Sequence, residues 1–435
     1  MGRRFGADRW LRGVVAGGAF RRLWFSGLAN DFGDEFARLA LSVTSVLVLH
    51  ASSFQVGLIA ALGRSAYLLF GIPIGVWVDR WFKRPVLIAA ELVRAVAVVS
   101  IPVAYVMGTL SIWQVMVVSA LVSVADVFFD TAHTSVLPSL VGRDQVSEAN
   151  ARLQTSDATM GVVGPAAAGQ LLRLVSGPVL YITSGVTSLI SAGLLGTMKV
   201  HEPAPANKRD RESFRSSLKI GIGYVITHPV LRTFMCTSAA INLGAGMFMA
   251  VLPLLVLRDL ALTPEVYGLA LGIGGLGGIV GSLVGLPIRN RFGEVRTMLL
   301  MQCGMPFAFA ILPLAVVVSV PPVLLVGLSE VLFGSLTIIH AISSTGIRAK
   351  VTPHHLMGRV TAASRFVTLG AVPVGALIGG AVGGWLGHPG TVLVAAGLAA
   401  TAPIILLTSP LGRLRTVPEQ WEAERWSVPP RKPEA

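Results

Sequence analysis

The feature that most constrains this chain is the recurrence of long apolar stretches. Twelve of them run over 23–49, 56–78, 85–107, 112–137, 153–175, 179–198, 233–257, 266–288, 298–318, 323–345, 360–385 and 391–408. Each is close to the roughly 20 residues that a helix needs to cross a bilayer. Inside hydrocarbon, every backbone N–H and C=O must be satisfied within the segment, so stretches of this length fold as helices. Only 13% of the residues are charged, about half the share of a soluble domain, roughly 25%. The sequence therefore predicts an all-α polytopic membrane protein with 12 transmembrane helices.

Basic residues fix the expected orientation. With the N-terminus inside, 29 of the 35 Lys and Arg fall in inner segments, and only Arg173, at the outer end of the fifth stretch, and Arg258 fall on the outer side. Both termini are expected in the cytoplasm of a cell-membrane protein. The formal net charge of +13 thus reads as topology and not as a nucleic-acid footprint. Cys236 and Cys303 sit in separate apolar stretches, which argues against a disulfide framework.

A shift of 210 residues overlays the two halves: Arg22 falls on Arg232, Gly75 on Gly285, Phe82 on Phe292. Halves repeated in the same orientation imply a pseudo-twofold axis along the membrane normal. The expected organisation is an inner segment over 1–22, six-helix halves over 23–198 and 220–410, a polar linker over 199–219 and a disordered inner tail over 411–435. Such halves rock around a central site.

The first stretch is the most charged. Asp31, Asp34, Glu35 and Arg38 share one helical face. A charge at mid-membrane costs about 2.5–3.5 kcal/mol on the insertion scale, so this face must meet a cavity or partners. Asp34 and Arg38 are spaced to pair. The fourth stretch carries Asp126 and Asp130 at the same spacing, with His133 a turn later, and the tenth carries Glu330 and His340. Asp34, Glu35, Asp126, Asp130 and Glu330 are the candidate proton carriers, with Arg38 beside them. Glu91 and Arg94 read as a structural pair in the third helix, and Arg64 as a snorkelling side chain or an anion contact. No metal cluster, nucleophile triad or Gly-x4-Gly-Lys-Ser/Thr phosphate loop stands out, so no enzyme, cofactor or ATP coupling is expected. A membrane potential of 100 mV supplies about 2.3 kcal/mol per charge moved, which makes secondary coupling the economical expectation.

Between the second and third stretches lies Gly75-Val76-Trp77-Val78-Asp79-Arg80-Trp81-Phe82-Lys83-Arg84. Asp79 falls at the C-terminal end of a helix, where the macrodipole disfavours an acid. The fifth stretch holds Gly161, Gly164, Pro165 and Gly169, spacings that admit close helix approach and a kink. These residues resemble two signatures of the major facilitator superfamily. Gly75, Asp79, Arg80, Lys83 and Arg84 match the loop after the second helix, with Phe82 replacing a common glycine. The fifth stretch resembles the exporters' antiporter signature, with Ala168 replacing a glycine. Leu137-Pro138-Ser139-Leu140-Val141, Glu148-Ala149-Asn150 and His228-Pro229 resemble the enterobactin and macrolide exporter-like branch.

The resemblance implies the major facilitator fold, two pseudo-symmetric six-helix halves that work by alternating access, and drug or siderophore export driven by proton antiport. It also implies that Asp79, with Arg80, meets Gly358-Arg359 as an inner gate. The expected partners are a small amphipathic substrate, protons and the bilayer, with the protein a monomer. An importer or facilitator would share the fold, and a membrane receptor or enzyme would need a soluble domain or catalytic cluster that the short loops do not offer.

Overall fold

The computed structural model describes residues 17–200 and 214–423. The arginines at 3, 4, 9 and 12, the charged linker core at 208–212 and the chain after Ala423 lie outside the described residues. Among those described there are thirteen α-helices and no strand. They are α1 (Gly18–Val43), α2 (Ser53–Leu69), α3 (Gly71–Arg80), α4 (Lys83–Val106), α5 (Ile112–Val141), α6 (Val146–Leu171) and α7 (Gly177–Gly196). After the linker come α8 (Phe214–Thr227), α9 (Pro229–Leu254), α10 (Pro264–Phe292), α11 (Glu294–Leu314), α12 (Pro322–Val351) and α13 (Met357–Thr408).

Among the described residues, eight helical segments are long and apolar enough to cross a membrane, or nine if α2 and α3 count as one bent span. The second apolar stretch of the sequence breaks at Phe70 (φ −120°, ψ −9°) into α2 and α3, with an angle of 59° between them. At 1.5 Å per residue the 52 residues of α13 extend about 78 Å, more than twice the roughly 30 Å hydrocarbon core. Gly387 interrupts it at φ 69°, ψ 171°, a left-handed conformation open to glycine, in the gap between the last two apolar stretches. The first stretch falls outside the eight; its helix α1 carries Arg21, Arg22, Asp31, Asp34, Glu35 and Arg38.

The chain divides into two compact units. The first comprises Met1–Ala51, Leu62–Arg209 and Leu262–Gly272, and the second Ser52–Ala61, Asp210–Ala261 and Ile273–Ala435. The two short pieces correspond under the 210-residue shift, so each half's second stretch gives its first residues to the other unit.

In the first unit Phe20, Leu23, Ile74, Leu87, Phe129, Leu137 and Leu195 form the core. The charged loop is a set of helix caps. Lys83 Nζ donates to the carbonyls of Val78 (2.7 Å), Asp79 (3.3 Å) and Trp81 (2.9 Å), closing the end of α3. Arg84 donates to Leu195 O (3.0 Å) and to Gly196 O, and Arg22 to Thr197 O (2.6 Å), closing α7. Cations at helix C-termini satisfy orphan carbonyls and meet the negative end of the macrodipole.

In the second unit Val230, Leu231, Met298, Ile347, Val351, Val360 and Leu406 pack together, and Phe248 stacks on Phe309 at 4.6 Å. The linker expectation is shortened here, because α8 begins at Phe214 and packs on α13. The tail expectation is corrected. Leu411 is fully buried and Val417 nearly so, and the tail continues as a docked strap. Val295 N donates to Arg415 O (3.1 Å), Arg415 Nη2 to Arg291 O (2.7 Å), and Ala423 N to Lys350 O (3.0 Å). Lys350 pairs with Glu294 at 2.7 Å beneath it. The physical reason is that Leu411, Val417 and Trp421 give the strap an apolar edge that its charged composition conceals. Truncation after Thr408 should lower the unfolding free energy by about 2–5 kcal/mol, the burial of two or more apolar side chains. Thermal unfolding of the truncated protein in detergent measures it.

His228 caps the entry to α9 and holds Trp421 O at 3.1 Å through Nε2. Burial pushes its pKa down to about 4, partly offset by that carbonyl. The unfolded chain, with histidine near 6.5, binds the proton first. His228 therefore withdraws stability as pH falls from about 6.5 toward 4, up to about 3 kcal/mol. Melting curves across pH 7.5 to 4.5 should show a steeper decline for the native chain than for His228→Asn.

Candidate functional site

The first unit gathers the buried charges around Arg94 of α4, whose side chain is 3% exposed. One guanidinium nitrogen, Nη1, donates to Asn30 Oδ1 and to Asp34 Oδ1 (2.9 Å) on α1; the other, Nη2, donates to Asp126 Oδ1 on α5. Asn30 Nδ2 also reaches Asp34 Oδ2 at 3.4 Å. The planar fork of arginine suits this three-way contact, which an ammonium cannot reproduce. Arg94 also lies 5.8 Å from the centre of the Phe129 ring.

Two expected pairings are replaced. Arg38 pairs with Glu35 at 3.1 Å and not with Asp34, because Asp34 is turned to Arg94. Glu91 feels Arg94 electrostatically, but its Oε1 accepts from Ser191 at 2.7 Å, while the ion pairs of Arg94 are with Asp34 and Asp126. Asp126 and Asp130 are held by different partners, since Asp130 accepts from the hydroxyl of Tyr67. His133 stands apart from Asp130, stacked on Phe129 at 5.5 Å.

Asp157 of α6 interacts electrostatically with Asp31, Glu35 and Arg38, and Arg64 with Arg38, Glu35 and Asp126. Asp31, Asp34, Glu35, Glu91, Asp126, Asp130 and Asp157 thus share Arg38, Arg64 and Arg94, seven carboxyls to three guanidinium groups. Sequence reasoning missed Arg94, Asn30, Tyr67 and Asp157 as members. The signals were there in part: Asn30 sits one turn before Asp34, and Asp157 is the lone acid in its stretch.

The glycines of α6 differ in what they do. A Cβ on Gly164 would come within 2.6 Å of Glu35 Cβ and 2.8 Å of its Cγ, so this glycine makes room for the acid. A Cβ on Gly169 would lie 3.0 Å from Glu265 O, so it seats the start of α10. Gly161 and Gly75 face open space, as does Gly358 beside Arg359. Pro165 sits inside α6.

Glu330 belongs to the second unit. It packs against Gly274, whose added Cβ would lie 2.7 Å from Glu330 Cβ, and its Oε1 is buried without a hydrogen-bond partner among the described residues. The same holds for Nε2 of His340.

Comparison with known proteins agrees with this architecture. Residues 14–431 match the family described as transmembrane secretion effector. The multidrug efflux pump Tap of Mycolicibacterium fortuitum is 25% identical over 377 residues, 83% of this chain and 87% of that protein. Macrolide efflux protein A of Streptococcus pyogenes is 27% identical over 147 residues, so the match spans only about a third of either chain, 34%. A solved structure of the nucleoside transporter NupG superposes with a TM-score of 0.70 at 14% identity, covering 89% of this chain and 98% of that one. That likeness concerns the fold alone.

Proposed function

The chain belongs to the transmembrane secretion effector family of the major facilitator superfamily, and from that premise we propose that it is a proton-coupled exporter of a small amphipathic compound. It is a multi-pass membrane transporter. The proposal adds twelve spans in two six-helix halves, inner termini, alternating access and antiport. Its substrate class is that of a drug, antibiotic or siderophore, and the efflux relatives support that reading.

The observation that carries it is Arg94 held between Asp34 and Asp126 within an excess of carboxyls. A proton arriving on either acid removes one of the two carboxylate charges that hold the fork. Arg94 then redistributes toward the remaining carboxylate, and α1, α4 and α5 shift with it. Proton binding thereby becomes helix movement, which is what coupling requires. Glu35 and Arg38 on the adjacent turn, and Asp130 with Tyr67, are the further stations for the proton. Glu330 is a separate carboxyl for the substrate or a second proton. The gating role of Gly75, Asp79, Arg80 and Arg359 belongs to the same proposal. Asp79→Arg and Arg359→Asp should each impair export, and the double exchange should restore part of it.

Expression in a host lacking its own efflux pumps tests the function. Raised tolerance to a panel of amphipathic antibiotics, lost on adding a protonophore, supports export. Uptake of a defined metabolite with unchanged tolerance would make the protein an importer instead.

A further inference from the structure

Three residues of the second unit, which the proposed coupling does not use, form one hydrogen-bonded chain. Ser53 opens α2, Asp259 ends the π-helical turn that follows α9 (Leu255–Asp259), and His388 follows the break at Gly387 in α13. Ser53 Oγ lies 3.0 Å from His388 Nε2, and His388 Nδ1 lies 2.7 Å from Asp259 Oδ2. One buried imidazole therefore joins three separate helix ends.

Local sequence fixes each member. Ser52 and Gln55 form a capping box: Ser52 Oγ accepts from Gln55 N at 3.3 Å and Gln55 Oε1 from Ser52 N at 2.8 Å. That sets Ser53 on the first turn of α2. The positive φ of Gly387 lets α13 turn so that His388 meets both partners. Beside the chain, Gly57 seats α2 directly on α13. A Cβ there would lie 2.6 Å from Ala376 O and 2.7 Å from Gly380 Cα. Backbone meets backbone along this seam, and Ser53 supplies its side-chain hydrogen bond. Ser52–Ala61 groups with the second unit, whereas α2 from Leu62 onward groups with the first.

We propose that Ser53, His388 and Asp259 form a proton-binding clasp that holds the first turns of α2 on α13 and tightens when the imidazole is protonated. This rests on the transport reading and on the orientation that puts these helix ends outside. With His388 neutral, Nδ1–H donates to the carboxylate of Asp259 and Nε2 accepts the hydroxyl hydrogen of Ser53. On protonation both nitrogens donate. Nε2–H points at Ser53 Oγ, whose own hydrogen rotates away, and the contact with Asp259 becomes an ion pair. The carboxylate already makes the Asp259 bond charge-assisted; protonation adds the attraction of opposite charges to it and makes the Ser53 bond charge-assisted as well, so acid closes the clasp.

Arg258 is adjacent to Asp259, and His50 stands three positions before Ser53. The first turns of α2 and the residues of α13 around the break carry no other ionisable side chain. Ser53 and Arg258 also line a cleft of about 560 Å³ with Phe54, Gly384 and Trp385, which gives solvent protons access. Histidine ordinarily changes charge between pH 5 and 8, the range over which an outer medium varies. The clasp would restrain opening when the outside is most acidic.

The test uses the full-length protein with Cys236→Ser and Cys303→Ser, both exposed positions, and a bimane fluorophore on Phe54→Cys. Trp385 across the cleft is the native quencher, and Trp385→Phe verifies it. Lowering the pH from 8 to 5.5 should deepen quenching at least about twofold. His388→Gln, which keeps hydrogen-bonding capacity but takes no proton, and Asp259→Asn, which keeps the imidazole, should each abolish the pH response. Ser53→Ala should weaken quenching at both pH values. A parent without a pH response, or an unchanged response in either His388→Gln or Asp259→Asn, overturns the clasp. Fluorescence needs no transport, so failure of the export reading would show separately in vesicles.

Discussion

Arg94→Gln is expected to abolish uphill transport and to cost about 3–5 kcal/mol of stability, the usual consequence of removing one partner from a buried ion pair. The side chain is almost wholly buried and supplies the cation that both Asp34 and Asp126 touch. Without it, two carboxylates and the amide of Asn30 lose their common donor. Thermal unfolding in detergent reads the stability. Adding Asp34→Asn and Asp126→Asn to the same chain should recover most of that loss, since the uncompensated charge is gone, and should not recover coupling. Arg94→Lys should rescue poorly, because one ammonium cannot span three acceptors in the geometry of the fork.

Asp34→Asn and Asp126→Asn, made singly, should separate binding from coupling. Each keeps the shape and an acceptor oxygen for Arg94, so the protein should fold and still let substrate equilibrate down its gradient. Each removes a site where a proton competes with the guanidinium. Accumulation against a gradient should fall at least about tenfold, equivalent to about 1.4 kcal/mol of lost coupling. Unchanged uphill accumulation in either variant would clear that residue of the role.

The helical class was legible from the apolar stretches, because a bilayer admits few alternatives to a helix. The charged face of α1 was legible too, since 3.6 residues per turn places Asp31, Asp34, Glu35 and Arg38 together. The pairing of those charges was not. Spacing along one helix favours Asp34 with Arg38, but Arg94 arrives from another helix, 60 positions away, and outcompetes it. The same limit hid the caps. Lys83 and Arg84 look like a topology marker in sequence, and only the ends of α3 and α7 reveal them as donors to orphan carbonyls. The bend at Phe70 was signalled by Pro73, which cannot bond the carbonyl of Leu69 four residues back, but a proline alone does not say whether a membrane helix kinks or breaks. The strap over 409–423 was misread because a few buried residues, Leu411 and Val417 among them, outweigh a polar composition that suggests disorder. The Ser53–His388–Asp259 chain spans 335 positions and no motif links its members.

The central claim is that protons drive export through the Arg94 cluster. The most direct measurement reconstitutes the protein in sealed vesicles with the compound to which expression raises tolerance most. Accumulation is followed under an imposed pH gradient while an internal pH dye records proton movement. The account predicts accumulation with opposite proton flow, its loss when nigericin collapses the gradient, and loss of both signals in Arg94→Gln. Accumulation that persists undiminished after the gradient is collapsed would contradict it.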